Sequence, residues 1–104
     1  MNKKALAAKA EVVDEKNIKW HLEYYVQIFD NGSGQCSYGI GIEGRNSKED
    51  KSGKIFSEFT QGGITQSYET AKEWAGKLAQ GLVFPAYLHE YVDDFVYGYE
   101  NNFA

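Results

Sequence analysis

The sequence predicts an α+β domain, in which an antiparallel sheet of three to four strands is followed by two C-terminal helices packed on one face. Before Gly63, apolar residues recur at every second position in several segments, which is typical of strands. After Ser67 they recur every three or four positions, which is typical of amphipathic helices. Strands that come first and helices that come last favour a sheet with the helices on one side.

The length of the chain favours one domain over residues 1–104. A chain of 104 residues lies in the single-domain range of about 50–250 residues. The sequence is 42% hydrophobic with six Phe, two Trp and eight Tyr, which is enough apolar material for a core. We expect it to fold as a monomer or a small homo-oligomer. Residues 1–9 lack the apolar core of a signal peptide and are expected to form a flexible tail or a short helix.

Strands are predicted in order along the first part of the chain. Residues 10–14 are apolar at their centre and suggest a first strand. Residues 18–28 alternate strictly between apolar and polar and form the strongest strand pattern. A turn at Asn31-Gly32 joins them to a second alternating segment at 36–42, so a hairpin is expected. A further strand over residues 55–60 ends at Gly62-Gly63.

The segment SYGIGIEG contains a G-x-G-x-x-G match at Gly39, Gly41 and Gly44. A nucleotide-binding loop places these glycines between a strand and a helix, but here Ile40 and Ile42 continue the alternation through the motif. We therefore expect a strand that binds neither ATP nor a dinucleotide. The glycines at 39 and 41 then lie opposite the isoleucines, where a helix or a neighbouring strand can approach closely.

Two helices are predicted near residues 67–80 and 85–97. Ser67 suits the N-cap of the first helix and Gly81 suits its end. Pro85 suits the first turn of the second. The predicted inward stripes are Tyr68, Ala71, Trp74, Ala75 and Leu78 in the first helix, and Leu88, Tyr91, Val92, Phe95 and Tyr99 in the second.

Several short motifs resemble a family of small uncharacterised bacterial domains over residues from about Glu11 to Val96. The motifs are Val13-Asp14, Tyr24-Tyr25, Tyr38-Gly39-Ile40-x-Ile42-Glu43, and Val83-x-Pro85-x-x-Leu88-x-x-x-Val92-x-Asp94-Phe95. The resemblance implies an intracellular bacterial domain without known catalysis. It supplies no functional residues.

The charge of the chain is unevenly distributed. The formal net charge is −4, and no Lys or Arg follows Lys77, whereas Glu90, Asp93, Asp94 and Glu100 do. Direct binding of nucleic acid needs a basic patch, which the sequence lacks. No apolar run approaches the roughly 20 residues of a membrane helix, and a single cysteine excludes an internal disulfide. We expect a cytoplasmic protein without a membrane partner.

Residues that carry chemistry are few. Cys36 could act as a nucleophile if His21 or His89 lay beside it, although a lone cysteine in a strand is more often packing material. Two histidines without matched ligands make a poor zinc site. Glu90, Asp93 and Asp94 share one helix and could bind a hard cation, but such clusters are more often solvated faces. We expect no enzyme, and no catalytic, metal-binding or cofactor-binding residues.

The acidic, aromatic-rich C-terminal segment suggests a non-catalytic protein-binding module. Such a module would be an inhibitor or regulator that covers a basic, nucleic-acid-binding surface of a protein partner. In size and charge it is similar to small anti-CRISPR proteins, which block the nucleic-acid channel of their target. The predicted contact residues are Glu90, Asp93, Asp94, Glu100, Tyr87, Tyr97 and Tyr99. The alternative is an uncharacterised domain with a small-molecule pocket between sheet and helices, lined by Trp20, Trp74 and Tyr38.

Overall fold

A computed structural model describes residues 2–47 and 54–102. The strands are β1 (Asn2–Val13), β2 (Lys19–Asp30), β3 (Cys36–Asn46) and β4 (Phe56–Phe59). They form one antiparallel sheet in the order β1-β2-β3-β4. Two helices follow, α1 (Tyr68–Gln80) and α2 (Leu88–Asn102), with a short 3-10 helix at Pro85–Tyr87 between them. The predicted α+β class and the order of its elements are confirmed.

β1 corrects the prediction for the N-terminus. Residues 2–9 of the segment expected to form a flexible tail or short helix belong to a strand that begins at Asn2 and pairs with β2 from Lys19 to Phe29, and Met1 lies outside the described residues. The alternation is hidden in the sequence because the register shifts between Leu6 and Ala8. A bulge of this kind places two consecutive residues opposite one, so the period-two pattern changes phase. The alanines have little strand preference of their own, and pairing with β2 imposes the strand.

The turn before β2 is held by the carboxylate of Asp14, and the loop after β2 contains two glycines in the left-handed conformation. The carboxylate of Asp14 accepts hydrogen bonds from the backbone N–H of Ile18 (3.0 Å) and Lys16 (2.9 Å) and from the indole N–H of Trp20 (3.0 Å). These bonds, led by the one from Ile18, lower the pKa of Asp14. The predicted β2–β3 hairpin is present, and its loop has Gly32 and Gly34 at φ 83° and 82°.

The glycine motif lies inside β3, as predicted. Gly41 pairs with Phe59 of β4, whose ring covers the space that a Cβ at position 41 would need. Gly39 is covered in the same way by the hydroxyl of Thr60 and the carbonyl of Gly62. The glycines therefore let the ring of Phe59 and the chain after β4 lie against the sheet face opposite the helices.

α1 begins and ends with recognisable caps. The hydroxyl of Ser67 accepts a hydrogen bond from the N–H of Thr70 (3.1 Å), as an N-cap does. At the other end, Val83 N–H donates to the carbonyl of Leu78 and Leu82 N–H donates to that of Ala79, both at 3.1 Å. This is the Schellman pattern, in which the residue after the cap adopts a left-handed conformation. Here that residue is Leu82, with φ 52°, and Gly81 precedes it with φ −85°.

The core lies between one sheet face and the two helices. α1 crosses β1, β2 and β3, and the ring of Trp74 stacks on Phe95 of α2 with centroids 5.6 Å apart. The fully buried side chains that form this core are Leu22, Tyr24, Val26, Ile40, Ile42, Ala71, Ala75, Leu78 and Leu88. α1 therefore packs directly on this face, and α2 lies on the same side of the sheet, against α1 and the 3-10 helix.

Candidate functional site

α2 presents an acidic face to solvent. Leu88 and Val92 point into the core, whereas Glu90, Asp93 and Asp94 on the opposite side are exposed. Asp93 and Asp94 lie three and four residues after Glu90, so the three acids share one face of the helix. Tyr97, one turn beyond Asp93, shares that face and is 71% exposed. The structure thus brings together four of the predicted contact residues.

Three apolar side chains lie beside the acids, at the corner between the helices. Tyr87 is 56%, Tyr91 43% and Leu82 40% exposed. Together with Glu90 they line a hollow of about 270 Å³. The prediction that Tyr91 faces the core is wrong: Leu88, Val92 and Phe95 already fill the inward stripe, and Tyr91 falls on its edge. The prediction that Phe95 is turned inward is confirmed by its stacking on Trp74.

We call the seven exposed residues of the corner and the acidic face the α2 surface: Leu82, Tyr87, Glu90, Tyr91, Asp93, Asp94 and Tyr97. Tyr99 and Glu100, also predicted as contact residues, belong to α2, but their side chains lie outside the described part of the structure. Leu82 and Tyr91 were missed by the sequence pattern. Leu82 follows a glycine that is the more usual left-handed residue at a helix end, so nothing in the sequence singles it out.

Leu82 is held in place by a buried hydrogen bond from the sheet. The hydroxyl of Tyr24 donates to the carbonyl of Val83 (2.9 Å), and burial raises the pKa of this phenol to about 12. This bond ties the segment after α1 to the centre of β2. The left-handed backbone and the half-exposed side chain of Leu82 are therefore part of a fixed geometry.

Two pockets separate the aromatic residues that were expected to line one cavity. Trp20 lines a notch of about 240 Å³ with Phe56 and Phe84. Trp74 instead borders a groove of about 350 Å³ between α1 and α2, which also contains Asp94. Tyr38 packs edge-on against Tyr68, with ring centroids 5.5 Å apart. The three residues therefore do not form the single pocket between sheet and helices that the alternative function requires.

The candidate nucleophile is not assembled with a histidine. Cys36 pairs with Asp30 and His21 pairs with Arg45, so the two lie at opposite ends of the β2–β3 ladder. The ring of His21 lies 3.1 Å from Glu11. His89 of α2 lies 3.1 Å from Glu58 of β4, and Glu58 pairs with Ile42, six residues along β3 from Cys36. In the part of the chain that the structure describes, no three His, Cys, Asp or Glu side chains group together in a way that could hold a metal ion.

Comparisons with known proteins match the chain to a family whose function is unknown. A model of the family of unknown function DUF6514 matches residues 3–98. This agrees with the expectation of an uncharacterised domain. Neither a curated protein nor a solved structure matches the chain. No described helix is long and apolar enough to cross a membrane.

Proposed function

Because the chain belongs to the DUF6514 family, whose function is unknown, we propose a function from its own surface. The protein is a non-catalytic protein-binding module, an inhibitor or regulator that uses the α2 surface to cover a basic surface of a partner protein. One observation carries the proposal: exposed tyrosines and an exposed leucine surround three acids on a helix that has no Lys or Arg.

The apolar part of the surface supplies the anchors. Interfaces draw most of their binding energy from a few large side chains, and tyrosine is enriched among them. Tyr87, Tyr91 and Leu82 lie around one hollow, so a partner side chain placed there would contact all three. Leu82 also adopts a backbone conformation that costs an L-residue about 1–2 kcal/mol. Backbone strain that persists in a folded protein often marks a functional position.

The acidic part supplies the electrostatics. Glu90 lies three and four residues from Asp93 and Asp94, and like charges at these spacings destabilise a helix by a few tenths of a kcal/mol. A basic partner surface would relieve this repulsion. Acids at the rim of an interface act mainly on the rate of association.

The partner class follows from the charge. A protein surface that attracts these acids is one that also attracts phosphate, so we infer that the partner binds nucleic acid through the surface that is covered. Small anti-CRISPR-type inhibitors act in this way, and the likeness to them rests on size and charge. Direct binding of nucleic acid by this chain would place phosphates against Glu90, Asp93 and Asp94 and is disfavoured.

A comparison of three baits tests the proposal. Wild-type protein, the double variant Asp93→Asn/Asp94→Asn and the variant Glu15→Lys are each immobilised and exposed to lysate of the organism that carries the gene. Both variants raise the net charge by the same amount, but Glu15 lies in the exposed turn between β1 and β2 and is not part of the α2 surface. Mass spectrometry should recover a basic protein with the wild-type and Glu15→Lys baits and much less of it with the double variant.

Competition identifies the covered surface. A nucleic acid added to the lysate should displace the partner from the wild-type bait if both occupy the same surface. If the three baits recovered all proteins equally, the α2 surface would no longer be supported as the site that binds the partner. Recovery that nucleic acid leaves unchanged would show that the covered surface is not the one that binds phosphates.

A further inference from the structure

The notch on the helix side of the sheet has an unusual lining of aromatic rings. Trp20 of β2 lies between two phenylalanines: its ring is 5.5 Å from that of Phe56 and 5.1 Å from that of Phe84, and both contacts are tilted or edge-on. Pro85 and Ala86, at the start of the 3-10 helix, close one side. The volume of about 240 Å³ is below the roughly 300–1,000 Å³ of typical small-molecule sites. It suits one side chain better than a whole metabolite.

A carboxylate completes the lining of the notch. Glu58 of β4 borders it, and one of its oxygens lies 3.1 Å from Nε2 of His89. The side chain of Glu58 is 48% exposed, so it lies at the rim, where a charged group can remain partly hydrated. Aromatic faces together with a carboxylate are the combination that attracts organic cations, because the ring quadrupole and the negative charge act in the same direction.

One ring of the notch already has a cation beside it. Nζ of Lys54 lies 4.8 Å from the centroid of the Phe56 ring, which is within the distance over which an ammonium group is attracted to an aromatic face. This contact shows that the Phe56 ring attracts an alkylammonium group of the chain itself, and a lysine of the partner would take the place of Lys54 at this ring.

The notch adjoins the α2 surface. Its rim includes the contact between Glu58 and His89, and His89 immediately precedes Glu90. His89 and Asp93 are four residues apart and therefore neighbours on the helix. A basic partner that covers the acids can thus reach the notch with a neighbouring side chain.

We propose that the notch binds the alkylammonium end of a lysine side chain of the basic partner protein. The stem lies against Trp20, Phe56 and Phe84, and the ammonium group lies between the rings and the carboxylate of Glu58. This proposal rests on the proposed function for the identity of the partner. Its own evidence is the composition and geometry of the notch, which do not involve Asp93 or Asp94.

Binding of two matched probes to the full-length protein tests the notch. N-acetyl-lysine methylamide carries the proposed side chain, and N-acetyl-norleucine methylamide has the same straight stem without the ammonium group. Titrations are followed by the two indole N–H signals in NMR spectra. Trp20 lines the notch, whereas Trp74 stacks on Phe95 elsewhere and serves as an internal control. We expect the lysine probe to shift the Trp20 signal and to bind roughly 2- to 30-fold more tightly than the norleucine probe.

Two variants separate the contributions to binding. Phe56→Leu keeps an apolar side chain but removes the ring, so it should abolish most of the preference for the lysine probe. Glu58→Gln keeps the shape but removes the charge at an exposed position, so it should weaken the lysine probe roughly two- to fivefold and leave the norleucine probe unchanged. Both variants are checked for folding by circular dichroism.

Three outcomes would overturn the proposal: equal affinity for the two probes, equal shifts of both indole signals, or a preference for lysine that persists in Phe56→Leu and Glu58→Gln. Any of these would leave the proposed function intact, since that function is tested by Asp93→Asn/Asp94→Asn. Conversely, baits that recover the same proteins would refute the proposed role of the α2 surface. The probe titrations would still decide whether the notch prefers lysine, because they do not depend on the partner.

Discussion

At Leu82 the backbone conformation favours glycine, whereas the proposed binding surface needs a large apolar side chain. Its φ of 52° is an angle that glycine adopts freely and that costs other L-residues about 1–2 kcal/mol. Its side chain is 40% exposed, so packing in the core explains only part of the need for a leucine at this position. On our account the leucine is kept at this position because it forms part of the α2 surface.

Replacement of Leu82 separates backbone strain from contact. Leu82→Gly and Leu82→Ala both remove the exposed side chain, but only glycine relieves the left-handed strain. We expect Leu82→Gly to have a free energy of unfolding about 1 kcal/mol greater than that of Leu82→Ala, measured by urea denaturation. Both variants should bind the partner more weakly than wild type. Wild-type affinity in both would show that Leu82 is not an anchor.

Position 41 requires glycine because the ring of Phe59 lies directly over it. An alanine there would meet the ring of Phe59, and overpacking of this kind typically costs about 1–3 kcal/mol. We therefore expect Gly41→Ala to lower the free energy of unfolding by that amount in wild type and by clearly less in a Phe59→Ala background. The difference is the coupling energy of a double-mutant cycle. Equal losses in both backgrounds would show that the ring does not determine the need for glycine.

At the scale of elements, the strands and helices with a regular pattern were predictable. β2 has strict alternation, and α1 has a serine N-cap, a buried stripe and a glycine at its end, so the local preferences and the tertiary structure agree. β1 was not predictable over its N-terminal half because a bulge interrupts its alternation and alanines provide no strand preference. Among the side chains of α2 that the structure describes, the inward face was predicted except at Tyr91, which lies on the edge of the stripe. Tyr99, also predicted to face inward, lies outside these described side chains.

The connection between α1 and α2 depends on a long-range hydrogen bond that no local pattern indicates. Tyr24→Phe removes the donor and leaves the carbonyl of Val83 without this partner in a buried site. We expect the free energy of unfolding to fall by about 1–3 kcal/mol. The exposed Tyr87→Phe serves as a control and should change stability by less than about 0.5 kcal/mol.

The same residue gives a prediction for alkaline pH. The pKa of Tyr24 is raised from 10.0 to about 12 by burial, so the folded state favours the neutral phenol. Its contribution to stability is fully present below pH 10.0 and is lost as pH rises toward about 12. The difference in unfolding free energy between wild type and Tyr24→Phe should therefore shrink above pH 10.0. A difference that stays constant across this range would mean that the phenol is not coupled to folding.

At the scale of the whole molecule, the charge distribution was visible in the sequence, but the site was only partly so. The absence of Lys and Arg after Lys77 pointed to the last helix, and the structure places Glu90, Asp93, Asp94 and Tyr97 on one face of it. The hollow formed by Leu82, Tyr87 and Tyr91 depends on how the chain turns between the helices. The aromatic notch likewise joins residues from β2, β4 and the 3-10 helix, which are far apart in the sequence.

The central claim is that the acids of α2 steer a basic partner onto the α2 surface. Steering by exposed charges raises the association rate at low salt and is screened as salt increases. The direct measurement is the association rate constant of the captured partner across a range of ionic strength, for wild type, Asp93→Asn/Asp94→Asn and Glu15→Lys. We predict a rate that falls with salt for wild type and Glu15→Lys, and a lower rate with a clearly weaker salt dependence for the double variant. The same rates and the same salt dependence for all three proteins would contradict the account.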